Sequence, residues 1–475
     1  MRKAMGSGDP SRSLPAFCFI LIASASLNTA HALEWAADVG AGLAHSSNVN
    51  RVPEGDSASL ATAEGNLQLV EVRRTLVLDA EAAFIHREYF DNEHESDTFP
   101  DSRASVAWAP VPDRFAWTLT NYLGQVALAP ADSLLPQDRQ IANVLTTGPA
   151  LFLPLMSDWS LDLSAQYGDV YYEDSDLDNE RVFGSVGLEY ALSQNDSFYV
   201  NSVGSRRDYD QDAYEDFEIY GVHLGYTGLG RRTTLAVEVG GEELASIDDE
   251  NAPKQRGEYV NIGIERQLSS STRASLRAVS RFGDSADIFA LDQMMEASLG
   301  DTSNVQLSSE PIRQRFVNLL LDWRGSRTSA GLGLIWTTES VESTVLPDRE
   351  IYGSMVDLNR RLSSQTSLGF SAYYLRELRT GVEDEKQDDL AATFSVDWRA
   401  TEHVAIRAQL EQYGRRNSLS DYDETRALVT IRYVLRPMRA DMPSFASREL
   451  SRHRRMGSEE TDESAPRARP APPIP

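Results

Sequence analysis

One cysteine stands in the whole chain, Cys18, and it lies inside an apolar N-terminal stretch. Once that stretch is removed the chain has no thiol, which excludes disulfides, thiolate metal sites and cysteine nucleophiles. Long hydrophobic runs are missing as well. After the N-terminal stretch nothing approaches the ~18 apolar residues that a spanning helix needs. Positive charge is scarce, with 45 Lys and Arg against 72 Asp and Glu and a net charge of −27. So acidic a surface lacks the basic footprint of a nucleic-acid binder. Six histidines follow the N-terminal stretch, scattered singly, so a histidine metal site is not expected.

The N-terminus reads as an export signal. Arg2, Lys3 and Arg12 precede the apolar run Leu14 to Ala25, and Ala30-His31-Ala32 supplies the small residues of a cleavage site. Cleavage is expected after Ala32, giving a signal peptide over 1–32. Pro15-Ala16-Phe17 ahead of Cys18 is a poor lipoprotein box. Removal of three basic residues and one acid, Asp9, takes the formal charge from −27 to −29. From Pro437 to Pro475 the pattern changes to a basic cluster (Arg448, Arg452, His453, Arg454, Arg455) and a Ser/Glu/Asp/Pro-rich end. Residues 437–475 are expected to form a disordered periplasmic tail.

Between these ends, apolar and polar side chains alternate in segments of about ten residues, the period of a strand with one greasy and one wet face. Leu390, Ala392, Phe394, Val396 and Trp398 form one face of such a segment and Thr393, Ser395, Asp397 and Arg399 the other. Ala427, Val429, Ile431, Tyr433 and Leu435 oppose Arg426, Thr430 and Arg432 in the same way. Short connections, rich in Gly, Pro, Ser, Asn and Asp, alternate with long ones. The pattern predicts an all-β fold over 33–436: a transmembrane antiparallel outer-membrane β-barrel of 18–20 strands, with both termini on the short-turn, periplasmic side. Trp108, Trp117, Trp159, Tyr190, Phe198, Tyr226, Trp323 and Trp398 sit near short turns and are expected to form one aromatic girdle. Phe84, Tyr89, Tyr122, Tyr167, Trp336 and Tyr374 are expected in the other.

No catalytic constellation emerges. His45-Ser46-Ser47 and His86 lie in or beside loops without the flanks of a nucleophile elbow, no phosphate-cradling glycine loop is present, and the chain reads as a non-enzyme without a cofactor. Asp174, Asp176, Asp178 and Glu180 resemble the start of a calcium loop. Asn179 and Ser185 stand where its glycine and glutamate belong, so the metal signal is weak. Alternation places Asp38, Asp79, Glu81, Asp162, Glu189, Glu238 and Glu265 on the lumen face, with His223 beside them as a polar wall residue. The later wall contributes Arg277, Arg281, Arg399, Arg407, Arg426 and Arg432, with Asp322, Asp357 and Asp397 among them. Such arcs would set a transverse field across a pore, and the arginines would contact acidic or hydroxyl-rich sugars. Pairing of these acids and arginines within the wall is an equal alternative. In the longest connection, 283–311, Ile288, Leu291, Met295 and Leu299 recur at helical spacing between Asp287 as a cap and Gly300 as a stop. This helix is expected to restrict the mouth or to cap its rim.

Gly40-Ala41-Gly42-Leu43-Ala44-His45-Ser46-Ser47-Asn48-Val49-Asn50-Arg51 resembles the first strand and loop of the β-barrel porin 2 family, with Ser46 where an acid is usual. The resemblance implies a single barrel and, from some relatives, a link to exopolysaccharide biosynthesis and export. The resulting expectation is an outer-membrane pore for a hydrophilic polymer such as exopolysaccharide. A general diffusion porin and a structural or adhesive surface barrel are its alternatives. Expected partners are outer-membrane lipid and lipopolysaccharide, the barrel-assembly machinery, and polysaccharide with its export proteins; nucleic acid is not among them. The expected location is the outer membrane of a Gram-negative bacterium.

Overall fold

The computed structural model describes residues 33–91, 94–127, 139–211, 213–248, 253–295, 307–341, 347–380, 385–417 and 421–436, with side chains left undescribed over 291–295. The expected signal peptide and tail lie outside the described residues. Twenty strands follow one another: β1 (Glu34–Ser46), β2 (Ala58–Arg73), β3 (Leu76–Tyr89), β4 (Asp97–Val111), β5 (Phe115–Ala127), β6 (Arg139–Pro154) and β7 (Trp159–Tyr172). Next come β8 (Asn179–Ala191), β9 (Asp196–Tyr209), β10 (Phe217–Leu229), β11 (Thr233–Ser246), β12 (Gln255–Gln267), β13 (Thr272–Gly283) and, after helix α1 (Ser285–Met295), β14 (Ile312–Arg324). β15 (Thr328–Val341), β16 (Asp348–Arg361), β17 (Thr366–Thr380), β18 (Glu385–Arg399), β19 (Val404–Asn417) and β20 (Tyr422–Arg436) complete the wall.

Each strand pairs antiparallel with its sequence neighbour, and β20 pairs back onto β1 from Ala37↔Arg436 to Ser46↔Arg426. The sheet is therefore a closed cylinder without a free edge, and its backbone groups are satisfied within the wall. Nine short connections lie at the end that carries both chain ends of the barrel; ten longer ones lie at the other. The strand number is the upper value of the predicted range.

Pairing register fixes which side chains face out. Leu390, Phe394 and Trp398 of β18, with Val429, Ile431 and Tyr433 of β20, are all exposed on the outer face. Their neighbours of opposite parity, among them Asp397, Arg407 and Arg432, face the lumen. Such a broad exposed apolar belt around a charged interior is the arrangement of a membrane-spanning barrel. Eight residues separate Leu390 from Trp398, ~27 Å along the strand or ~21 Å along the barrel axis at a tilt of ~40°, close to the ~25 Å apolar band of such proteins.

Trp108, Trp117, Trp159, Tyr190, Phe198, Trp323 and Trp398 ring the short-turn end as exposed side chains. Tyr226 is half-buried beside Phe198, with its hydroxyl donating to Asp196. At the long-loop end Phe84, Tyr167 and Tyr374 are on the outer face, and Trp336 Nε1 donates to Glu350. Tyr89 and Tyr122, expected in that girdle, are instead buried on the inner face, because each sits one position out of phase with the lipid-facing set. Tyr220 and Tyr352 take outer positions there. The hydroxyls of Tyr220, Tyr352 and Tyr374 donate to Glu218, Glu350 and Asp388, carboxylates one step nearer the loops. An amphipathic ring between oil and a hydrogen-bonding layer is satisfied at both ends.

Candidate functional site in the barrel lumen

The segment resembling a family motif lies at the seam where the cylinder closes. Ser46 Oγ donates to Glu424 Oε1 at 2.7 Å, and Arg51 Nε meets the other oxygen at 2.9 Å with its guanidinium 4.1 Å over the Tyr413 ring. Asn48 Nδ2 donates to the Val52 and Asp423 carbonyls. Arg51 holds a left-handed φ of 54°, which turns its side chain back to the seam. Further down, Arg432 of β20 reaches Glu64 of β2 at 2.9 Å across the intervening β1. It crosses at Gly40, where a Cβ would stand 2.8 Å from Glu64 and 3.1 Å from Arg432, so the missing side chain is what lets this pair span the seam.

The long connection after β13 folds inward. Asp284, rather than the expected Asp287, caps α1: Asp287 N donates to Asp284 Oδ1 at 3.0 Å, and Asp284 N donates to Asp287 Oδ2 at 3.2 Å. This reciprocal box satisfies two end groups of the helix. Both carboxylates then meet Arg181 and Arg207, register partners on β8 and β9. Arg181–Asp284 and Arg207–Asp287 are each 2.7 Å, and Arg207–Asp284 and Arg181–Asp287 each 3.3 Å. Arg181 and Asp284 are 1% exposed, so the quartet is held away from water. Burial works to raise the Asp287 carboxyl, but the guanidiniums of Arg207 and Arg181 hold it well below the usual carboxylate range.

Ala286, Ile288 and Phe289 bury against Tyr122, Val144 and Tyr172 of β5–β7, wall on the far side of the lumen from β13. Phe289 escaped the sequence reading because it lies off the stripe running through Ile288. Only the backbone describes Leu291 and Met295, both in α1, and Leu299 and Gly300 lie outside the described residues. The Asp284/Asp287 spacing was the available signal for the true start of the helix.

Register places Asp79, Glu81, Asp162, Glu189, Glu238, Glu265, Arg277, Arg281, Asp397, Arg399, Arg407, Arg426 and Arg432 on the inner face. Many meet an opposite charge on a neighbouring strand. Glu81 binds Arg103, Arg407 binds Asp397 at 2.6 Å, Arg426 binds Glu411, and Glu265 lies 3.5 Å from Arg273. Arg281 donates to the Asp287 carbonyl of α1 at 3.3 Å. Arg103, Glu64 and Arg273 were not foreseen as lumen groups, because cross-strand partners are defined only once register is known.

Wall pairing thus compensates much of the arginine arc. Asp162 and Glu189, on adjacent strands, have no cationic partner among the described residues. Nearer the loops, Arg349–Glu377 (2.9 Å) and Arg415–Asp389 (2.7 Å) join Arg51–Glu424 and the α1 quartet in a buried ionic collar.

His223 is buried on the inner face, stacked on Tyr259 at 3.6 Å between centroids, with Nδ1 3.5 Å from Glu238. Asp178 accepts the Tyr172 amide at 2.7 Å, while Asp174 N donates to Gln140. The acids at 174, 176 and 178 do not converge. Among the described residues no three His, Cys, Asp or Glu side chains gather to hold a metal ion.

No family model matches the chain, and no curated protein matches it. Among solved structures it is similar to the siderophore receptor PirA from Pseudomonas aeruginosa at 11% identity and a TM-score of 0.41, with 85% of this chain and 81% of that one covered. The FrpB iron transporter from Neisseria meningitidis (F3-3 variant) aligns at 8% identity and a TM-score of 0.43, covering 87% and 83%. OccK1 (OpdK) from Pseudomonas aeruginosa aligns at 11% identity and a TM-score of 0.35, covering 84% and 99%. At these identities the likeness is one of fold alone.

Proposed function

We propose that this protein is a pore in the outer membrane of a Gram-negative bacterium, passing hydrophilic solutes through a lumen narrowed at the long-loop end by α1. A closed wall with an apolar exterior and a charged interior carries this reading. Barrels of 16–18 strands already enclose an aqueous channel, and twenty strands enclose a wider one. The buried collar and the docked helix occupy part of that width on the loop side. Long loops face outward and both ends of the barrel face the periplasm, the usual disposition of such proteins.

The finer reading is passage of a secreted polysaccharide. It is supported by the resemblance of residues 40–51 to the porin 2 family and by a lumen dense in carboxylates, guanidiniums and amides, groups that hydrogen-bond hydroxyl-rich chains. The test is conductance of the purified full chain in planar bilayers, with and without residues 285–306. Stepwise ohmic openings that grow on deletion are expected. A protein that inserts but never conducts, in both forms, would leave a structural barrel.

A further inference from the structure

Charge on the outer wall at the long-loop end is not evenly spread. Around β7–β10 it is acidic: Asp169, Glu180, Asp208 and Glu218 outnumber Arg206. On β11–β14 the sign reverses. Lys254 and Arg256 share Glu243 at 2.8 and 2.9 Å, and Arg313 and Arg315 share Glu258 at 2.6 and 2.8 Å. Four cations thus stand on two carboxylates, in a chain whose net charge is −27. Past residue 32 the sequence holds only two lysines, and one of them is here.

Exposure and height both matter. Arg256 is 81% exposed, Lys254 61% and Arg315 48%, while Arg313 is fastened by Nη2 to the Glu258 carbonyl at 2.7 Å. On β14 the outer face reads Trp323, Leu321, Leu319, Val317 and then Arg315. From Trp323 to Arg315 is the same eight-residue interval that separates Trp398 from Leu390. Arg315 therefore stands ~21 Å above the lower girdle, where hydrocarbon ends and headgroups begin. Arg256 and Arg315 look sideways into the leaflet, whereas Arg313, 15% exposed, runs back into the wall beside Gly257 and braces Glu258 from within.

We propose that Lys254, Arg256 and Arg315, with Arg313 bracing Glu258 behind them, form a binding site for the phosphate groups of an anionic lipid in the loop-side leaflet. This inference rests on the membrane-pore reading and adds a ligand on its outer wall. Each carboxylate, shared between two cations, holds them in place without cancelling their charge. The guanidinium forks take phosphate oxygens in pairs, and acyl chains lie against the apolar belt below.

The experiment uses the full chain folded in detergent, titrated with bisphosphorylated lipid A, with phosphatidylethanolamine or with inorganic phosphate, and read by native mass spectrometry. Wild type is expected to retain lipid A and to lose it roughly thirtyfold more readily in the Arg256→Gln/Arg315→Gln variant, about fivefold for each basic residue removed. Arg315→Lys should restore much of the retention, and Arg206→Gln, on the acidic sector, should leave it unchanged. Lipid A retention equal in wild type and the double variant would overturn the site. So would inorganic phosphate binding as tightly as lipid A, since the ligand would then be a free anion. Heat-modifiable migration and vesicle insertion are scored in parallel. A chain that inserts but ignores lipid A refutes the site alone, and one that fails to insert refutes the membrane reading with it.

Discussion

At the scale of single residues, the ion selectivity of the proposed pore would follow from pairing rather than from a count of charges. Arg407 and Arg432 neutralise Asp397 and Glu64 across neighbouring strands. Replacing both with glutamine strips two carboxylates of their counter-charges, and the pore should become more cation-selective. The reversal potential in a salt gradient reads this change. Asp162→Asn with Glu189→Gln should shift it the opposite way. The α1 quartet sets a second expectation. Because Arg207 and Arg181 hold Asp287 below the usual carboxylate range, its contribution to docking is present above that range and is lost only as pH falls through its lowered value. Conductance should show no α1-release step between pH 8 and pH 5, and any increase from undocking should begin only under stronger acid.

At the scale of elements, α1 is docked on the wall rather than left as a loose loop. Its capping box doubles as its anchor, since the two carboxylates that close the first turn also bind two arginines of the wall. Removing one partner of a buried pair leaves the other charge uncompensated, at a cost of about 3–5 kcal/mol. Arg181→Met should therefore free the helix and raise conductance toward that of the 285–306 deletion, with faster amide exchange over 285–290. Unchanged exchange would show that the packing of Phe289 and Ile288 holds α1 without the arginines.

At the scale of the molecule, the closing seam is where a cylinder built in sequence order must join its first and last strands. Ser46, Arg51 and Glu424 staple it at the loop end, and Arg432–Glu64 bridges it lower down. Glu424→Ala should lower the temperature of the heat-modifiability transition well below that of wild type. Glu350→Ala, which removes an exposed acceptor of the girdle, should barely move it. Sidedness is measured separately. With no cysteine after Cys18, single cysteines placed at Ser175 and at Asn195 report opposite ends of the barrel. An impermeant maleimide on intact cells should label the first and spare the second.

Alternation along the chain by itself determined the barrel, because a period of two has only two faces and strands such as Leu390–Trp398 or Ala427–Leu435 leave no choice between them. Turn chemistry marked most of the short connections, though not Arg74-Thr75 or the one at 400–403, and parity gave the sixteen charged wall candidates the inner face. Residue type misled at Tyr89 and Tyr122, where an aromatic near the loops suggested a girdle while strand parity pointed inward. Tertiary structure alone decided which charges meet. Arg432 finds Glu64 by spanning a strand at Gly40, and Arg181 finds Asp284 over a hundred residues away. Such contacts depend on register and on how a long connection folds back, neither of which a local pattern encodes.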